Sequence, residues 1–106
     1  MKCIIIILLL TNAAHAAETE INVPRLADAI YRAEGGSKTR YPYGIMSVKT
    51  ANPRAVCITT INNRLKLWDG RRPFIPFLAD KYCPKSADPI GHARWIKNVN
   101  FFYNQK

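Results

Sequence analysis

Acid is scarce in this 106-residue sequence: seven Asp and Glu stand against sixteen Lys and Arg, for a formal net charge of +9. A chemistry built on two paired carboxylates therefore has few candidates. Histidine and cysteine are scarcer still, two and three residues. Their positions form no close-spaced set, so a zinc site is not indicated. Cys57 or Cys83 with His92 as a thiol nucleophile and its base lacks any local signature. No glycine-rich turn opens a helix, since Gly35-Gly36 follows one instead, so a phosphate cradle is not expected. Internal repeats, low-complexity tracts and linkers are absent, and the length allows one domain.

Long apolar runs are also missing beyond the first ten residues. There, Lys2 precedes the unbroken run Ile4 to Leu10, and Ala14-His15-Ala16 supplies a small-residue cleavage signature. That is the layout of a secretory signal peptide, too short for the roughly 20 residues that span a bilayer. We expect residues 1–16 to be this leader and 17–106 the mature domain, exported to the periplasm or secreted. A retained membrane anchor is the alternative; stable membrane insertion after leader removal is not expected. Without Lys2, fifteen basic side chains face seven acidic ones. Export points this charge away from nucleic acid and towards anionic envelope polymers, although scattered cations also fit a plain solvated surface. Cys57 and Cys83 are the cysteines left after cleavage, and an oxidising compartment predicts their pairing. Such a bond, closing a loop of roughly 25 residues, would stabilise by about 3 kcal/mol.

Four helices are signalled, which makes the fold class mostly α, with four short helices around one core. Asn22 caps the first, with Pro24 in its first turn and Leu26, Ala27, Ile30 and Ala33 at helical spacing. Gly35-Gly36 ends it, because glycine adopts the left-handed geometry of a helix C-terminus. The stretch from Ser37 to Lys49 reads as a loop with room for a short hairpin. Asn52-Pro53 starts the second helix, with Ile58, Ile61, Leu65 and Trp68 as its stripe and Asp69-Gly70 as its stop. The third covers about Phe74 to Tyr82, with Phe77, Leu78 and Tyr82 inward. Asp88-Pro89 opens the fourth, whose inner face is Trp95, Ile96, Val99 and Phe102.

Glu34 is the residue that raises the question of chemistry. At 100° per residue from Leu26, Ile30, Ala33 and Glu34 fall at roughly 40°, 340° and 80°. The carboxylate thus borders the buried stripe. It also sits in the last turn, where unpaired carbonyls disfavour an anion by about 0.3–1 kcal/mol. Desolvation acts in the same direction, so both effects raise its pKa. A carboxylic acid kept protonated near neutrality can donate to a poorly basic leaving oxygen, as glycosidic cleavage requires. The competing reading is a surface Glu paired with Arg32 or Lys38. Of the other acids, Glu18 and Glu20 lie in a tail, Asp28 faces away from the stripe, Asp69 belongs to a turn and Asp88 to a cap. Asp80 is the least explained and stays open as a second acid.

From Ala29 to Met46, AIYRAEGGSKTRYPYGIM, the chain resembles the catalytic stretch of lysozyme-like lytic transglycosylases. There a helix ends in the catalytic Glu, and a Gly-aliphatic-Met segment lines the sugar cleft. The matching positions are Glu34 and Gly44-Ile45-Met46. FIPFLADKYCP (74–84) and Trp95 to Val99 look like small exported members of the same superfamily. The resemblance implies a lysozyme-like fold, α+β in the family at large, and cleavage of peptidoglycan between N-acetylmuramic acid and N-acetylglucosamine. It implies Glu34 as the single acid and base, and no metal or cofactor. Tyr41, Tyr43, Gly44, Ile45, Met46, Ser47 and Asn98 would contact the sugars, although each aromatic also fits the core. Trp95 is assigned to the core. Gly35 and Ser47 stand where larger relatives carry Ser and Gln. The alternative is a non-catalytic envelope- or peptidoglycan-binding module on the same fold. An activating protein partner is left open.

Overall fold

A computed structural model describes residues 20–44 and 51–105. It is built from four α-helices: α1 (Val23–Ala33), α2 (Pro53–Leu67), α3 (Phe74–Tyr82) and α4 (Pro89–Tyr103), with a 3-10 turn at Gly36–Lys38. No strand occurs among the described residues. The mostly helical expectation is observed, and the hairpin is not seen between residues 37 and 44. The expected leader, like Ile45, Met46 and Ser47, lies outside the described residues. No helix among the described residues is long and apolar enough to cross a membrane.

Three of the four helices start where an Asn or Asp precedes a proline. Asn22 Oδ1 accepts from the Arg25 N–H at 3.1 Å, Asn52 Oδ1 from Ala55 at 3.1 Å, and Asp88 Oδ1 from Gly91 at 2.9 Å. Each satisfies a helix-end donor that would otherwise be orphaned, at about 1 kcal/mol apiece. The proline behind each cap costs nothing, since its missing N–H would have had no partner there. α3 follows Pro73 and has no side-chain cap. It is held instead by packing: Phe74, Ile75, Leu78 and Ala79 are all buried.

The core is one cluster centred on Leu26, Ile30, Ile61, Leu78 and Val99, each fully buried. Burying a side chain of this size stabilises by about 1.5–3 kcal/mol, so these residues decide how the helices meet. α1 lies mainly on α4, with α2 on a second flank and α3 against α4. α1 and α4 run in opposite senses: Asn22 donates its N–H to the Tyr103 hydroxyl at 3.1 Å. The end of α1 is thereby brought to the first half of α4.

Candidate functional site

α1 stops at Ala33, and Glu34 is its C-cap residue, with its N–H bonded to the Ile30 carbonyl at 2.9 Å. Gly35 (φ 102°) and Gly36 (φ 56°) then turn the chain. A Cβ on Gly36 would come within 3.2 Å of the Tyr31 ring, so the turn is also a close approach. The chain returns to the helix end at Gly44, whose N–H bonds the Tyr41 carbonyl at 2.8 Å. Gly44 has φ 75°, and a Cβ there would stand 3.3 Å from Glu34 Oε2. Residues ten apart in sequence are thus pressed together because neither glycine-rich turn carries a side chain in the way.

Glu34 is half-buried in the wall of a cleft of about 250 Å³, with Ala33, Tyr82, Cys83, Gly91, Arg94, Trp95 and Asn98 around it. Among the described residues it makes no ion pair. The surface pairing is overturned: Arg32 instead donates to Gln105 Oε1 at 3.0 Å and lies over the Phe102 ring. Burial pushes the Glu34 carboxyl above the usual carboxylate range. The Trp95 indole pulls the other way, but more weakly. That indole Nε1–H faces the carboxyl without closing a bond of standard geometry, and it is buried with no other partner. An unpaired interior donor of this kind costs on the order of 1–3 kcal/mol. The Trp95 ring is stacked on Tyr82, with centroids 5.3 Å apart and planes 19° apart.

The groups behind the carboxyl are kept neutral. Tyr82 donates its hydroxyl to Cys57 Sγ at 3.2 Å. Burial raises the pKa of both the phenol and the Cys57 thiol. The expected Cys57–Cys83 disulfide is corrected here: both thiols are free. Cys57 is fully buried on the inner face of α2, and the Tyr82 hydroxyl is what meets its sulfur. Cys83, the next residue, caps α3 and lies partly exposed along the Glu34 cleft. His92 is bound to the Cys83 backbone rather than to a thiol. Its Nδ1 is 2.7 Å from the Cys83 carbonyl oxygen, which can only accept, so Nδ1 carries the proton.

The sequence-derived site residues divide. Glu34, Gly44 and Asn98 are brought to the cleft region. Tyr41 is exposed, beside the Arg40 guanidinium. Tyr43 is corrected to a core residue, 7 % exposed, its ring 5.3 Å from Tyr31 and its hydroxyl beside Arg54. It cannot offer a face to a sugar from there. The sequence reading missed Arg94 and Gly91, about one and two turns before Asn98 on α4. It also gave Trp95 to the core alone, whereas the residue serves both core and cleft wall. The i, i+4 relation of Gly91, Trp95 and Arg94, Asn98 was the available signal.

The four aspartates are occupied elsewhere. Asp28 pairs with Arg54, Asp80 with Arg72, and Asp69 accepts from the Arg71 N–H in its turn. Asp88 caps α4. Asp80 is thereby accounted for, and among the described residues Glu34 is the sole carboxylate at the cleft. Comparison of this chain with protein-family models, curated proteins and solved structures gives no match.

Proposed function

We propose that this chain is an exported lysozyme-like enzyme that cleaves peptidoglycan strands between N-acetylmuramic acid and N-acetylglucosamine, as a lytic transglycosylase. The observation that carries the reading is Glu34: a desolvated carboxyl without an ion pair at the wall of a cleft, with no second carboxylate facing it among the described residues. Hydrolytic glycosidases set two carboxyl groups across the scissile bond. A lone carboxyl fits a reaction in which the sugar supplies the other groups.

In this scheme the neutral Glu34 protonates the glycosidic oxygen as the bond to the muramic anomeric carbon breaks. The acetamido oxygen of the same sugar stabilises the cation. Glu34, now ionised, takes the proton of the sugar's own C6 hydroxyl, whose oxygen closes the 1,6-anhydro ring. The carboxyl ends neutral, as it began. Desolvation serves the first step by keeping the proton on the carboxyl until the leaving oxygen needs it, and the cost of a dry carboxylate drives the second. Asn98 and the Arg94 cation along the same wall supply donors for the sugar's hydroxyl, acetamido and lactyl oxygens.

Incubating the protein with purified sacculi and identifying released sugars by mass spectrometry tests this. Anhydro-muropeptides from the wild type and at least a hundredfold less from Glu34→Gln are expected, the usual range for removing a general acid. Intact sacculi with the wild type, or equal release by the variant, would overturn it. One observation favours the second reading, a binding module: the cleft, at about 250 Å³, is below the roughly 300–1,000 Å³ usual for ligand sites. Sacculus binding that survives Glu34→Gln without sugar release would support that reading.

A further inference from the structure

The buried Trp95 N–H shares a cleft wall with Glu34 and has no partner of its own. An indole N–H donates and never accepts. An oxygen that faces it must therefore be an acceptor, whichever state the carboxyl is in. We propose that Trp95 is a positioning residue for Glu34: its indole N–H holds one carboxyl oxygen as acceptor, so the transferable proton is carried on the other oxygen and the charge left behind is met in place. This deepens the reading of Glu34 as acid and base and rests on it.

The geometry around the pair restricts the alternatives. The Tyr82 ring, stacked on Trp95, prevents the indole from swinging away, and 93 % of the Trp95 surface is removed from water, its relative exposure being 7 %. Four titratable or charged groups face the carboxyl region from the packed elements: Cys57 of α2, Tyr82 of α3, Cys83 at its end, and Arg94 of α4. The Tyr82 hydroxyl is committed to the Cys57 sulfur. The Cys57 thiol is held neutral by burial. Arg94 is on the exposed side of α4. The Gly44 N–H is committed to the Tyr41 carbonyl. The indole is the one fully buried donor on this wall left without a bond. When Glu34 loses its proton to the substrate, the contact becomes a charge-assisted hydrogen bond, shorter and stronger than the neutral one. When the proton returns from the sugar hydroxyl, it weakens again.

The chain has two tryptophans, so the test is direct in an amide–indole nitrogen–proton NMR spectrum. Trp68 is the internal control, because its N–H is already bonded to the Arg72 carbonyl at 2.8 Å. The Trp95 indole proton is expected to move downfield along the titration of Glu34, and to be pH-independent in Glu34→Gln. Trp95→Phe keeps the stack and deletes the donor. Its sugar release is expected to fall at least tenfold, with the high-pH limb of the rate profile displaced upward, because the ionised acid has lost its donor. A purely structural role would lower activity and leave that limb in place. A Trp95 indole signal that stays flat while Glu34 titrates overturns the proposal, and so does an unmoved limb. An indole that titrates in a protein without sugar release would uphold the contact and sink the enzymatic reading instead. Should the Phe variant fail to fold, the wild-type titration decides alone.

Discussion

Two concavities among the described residues bear comparison, and the larger of the pair is the quieter. The larger, about 350 Å³, lies between the α2–α3 connection and the end of α4, with Trp68, Arg71, Arg72, Pro73 and Tyr103 in its walls. Its central polar groups are spent. The Trp68 indole is bonded to Arg72, Arg72 to the Pro76 carbonyl and Asp80, and the Tyr103 hydroxyl accepts from Asn22. The smaller cleft holds an unpaired carboxyl and an unpaired indole within one wall. Folding alone selects against such leftovers, because each costs free energy and returns none. The difference teaches that unspent hydrogen-bonding capacity, more than volume, marks where a partner molecule is expected.

The strongest way to break this contrast is Glu34→Gln, already expected to cost at least a hundredfold in sugar release. The same variant has a stability signature of opposite sign. The Glu34 pKa is raised in the folded protein above its ordinary 4.5. The folded state thus binds the proton more tightly than the unfolded chain. That stabilisation is complete below the unfolded value and is lost as pH rises through the folded one. The wild-type melting temperature should therefore fall relative to the Gln variant as pH climbs above about 4.5. The two should converge in more acidic solution. A scanning-calorimetry series showing parallel curves at all pH values would mean that the carboxyl is wet.

Gly44→Ala is next in size. A side chain at φ 75° costs roughly 1–2 kcal/mol, and its methyl would press on Glu34 Oε2. Both lower stability and reduced turnover are expected, whereas strain without loss of turnover would separate the loop from the site. Arg72→Ala empties the other concavity of its ion pair. That pair is about half exposed on each side, so a change within about 1 kcal/mol is expected. Turnover should be unaltered. A large loss of sugar release on Arg72→Ala would invert the comparison.

The smallest effect concerns the thiols. A thiol reagent should modify Cys83 in the native protein and reach Cys57 only on unfolding, since one is part-exposed and the other wholly enclosed. Mass spectrometry after native labelling should show one adduct on the described domain. Neither cysteine reacting even under denaturant would reveal a bond between them.

Much of the helical frame was legible in the residues because its causes are local. Asn22, Asn52 and Asp88 each mark a helix start through a bond to a backbone N–H three positions on. The glycines at 35 and 36 mark an end for an equally local reason. Glu34 was legible as half-buried because a helix has a fixed angular period. What sequence could not give were directions settled by distant partners. Tyr43 turns inward because Tyr31 and Arg54 wait for it there. Cys57 meets the Tyr82 hydroxyl, twenty-five residues on, in place of the neighbouring thiol. Trp68 was placed in the α2 stripe, yet its backbone is already extended, and its ring packs edge-on against Phe74. Trp95 could be read as apolar from its spacing, but that its N–H would lack a partner is a property of the packed molecule.

The start of α1 and the end of α4 are fastened to each other, Asn22 to Tyr103 and the Arg25 guanidinium to the Gln105 carbonyl at 2.7 Å. The Glu34 carboxyl stands at the opposite end of α1, about 16 Å away along an eleven-residue helix. Asn22 and Gln105 therefore lie at the same end of the helical frame, away from the Glu34 cleft. A fluorescent reporter or a surface linker joined beside residue 22 or 105 would leave the mouth of the Glu34 cleft clear, so the helical unit can be immobilised with that cleft facing outward.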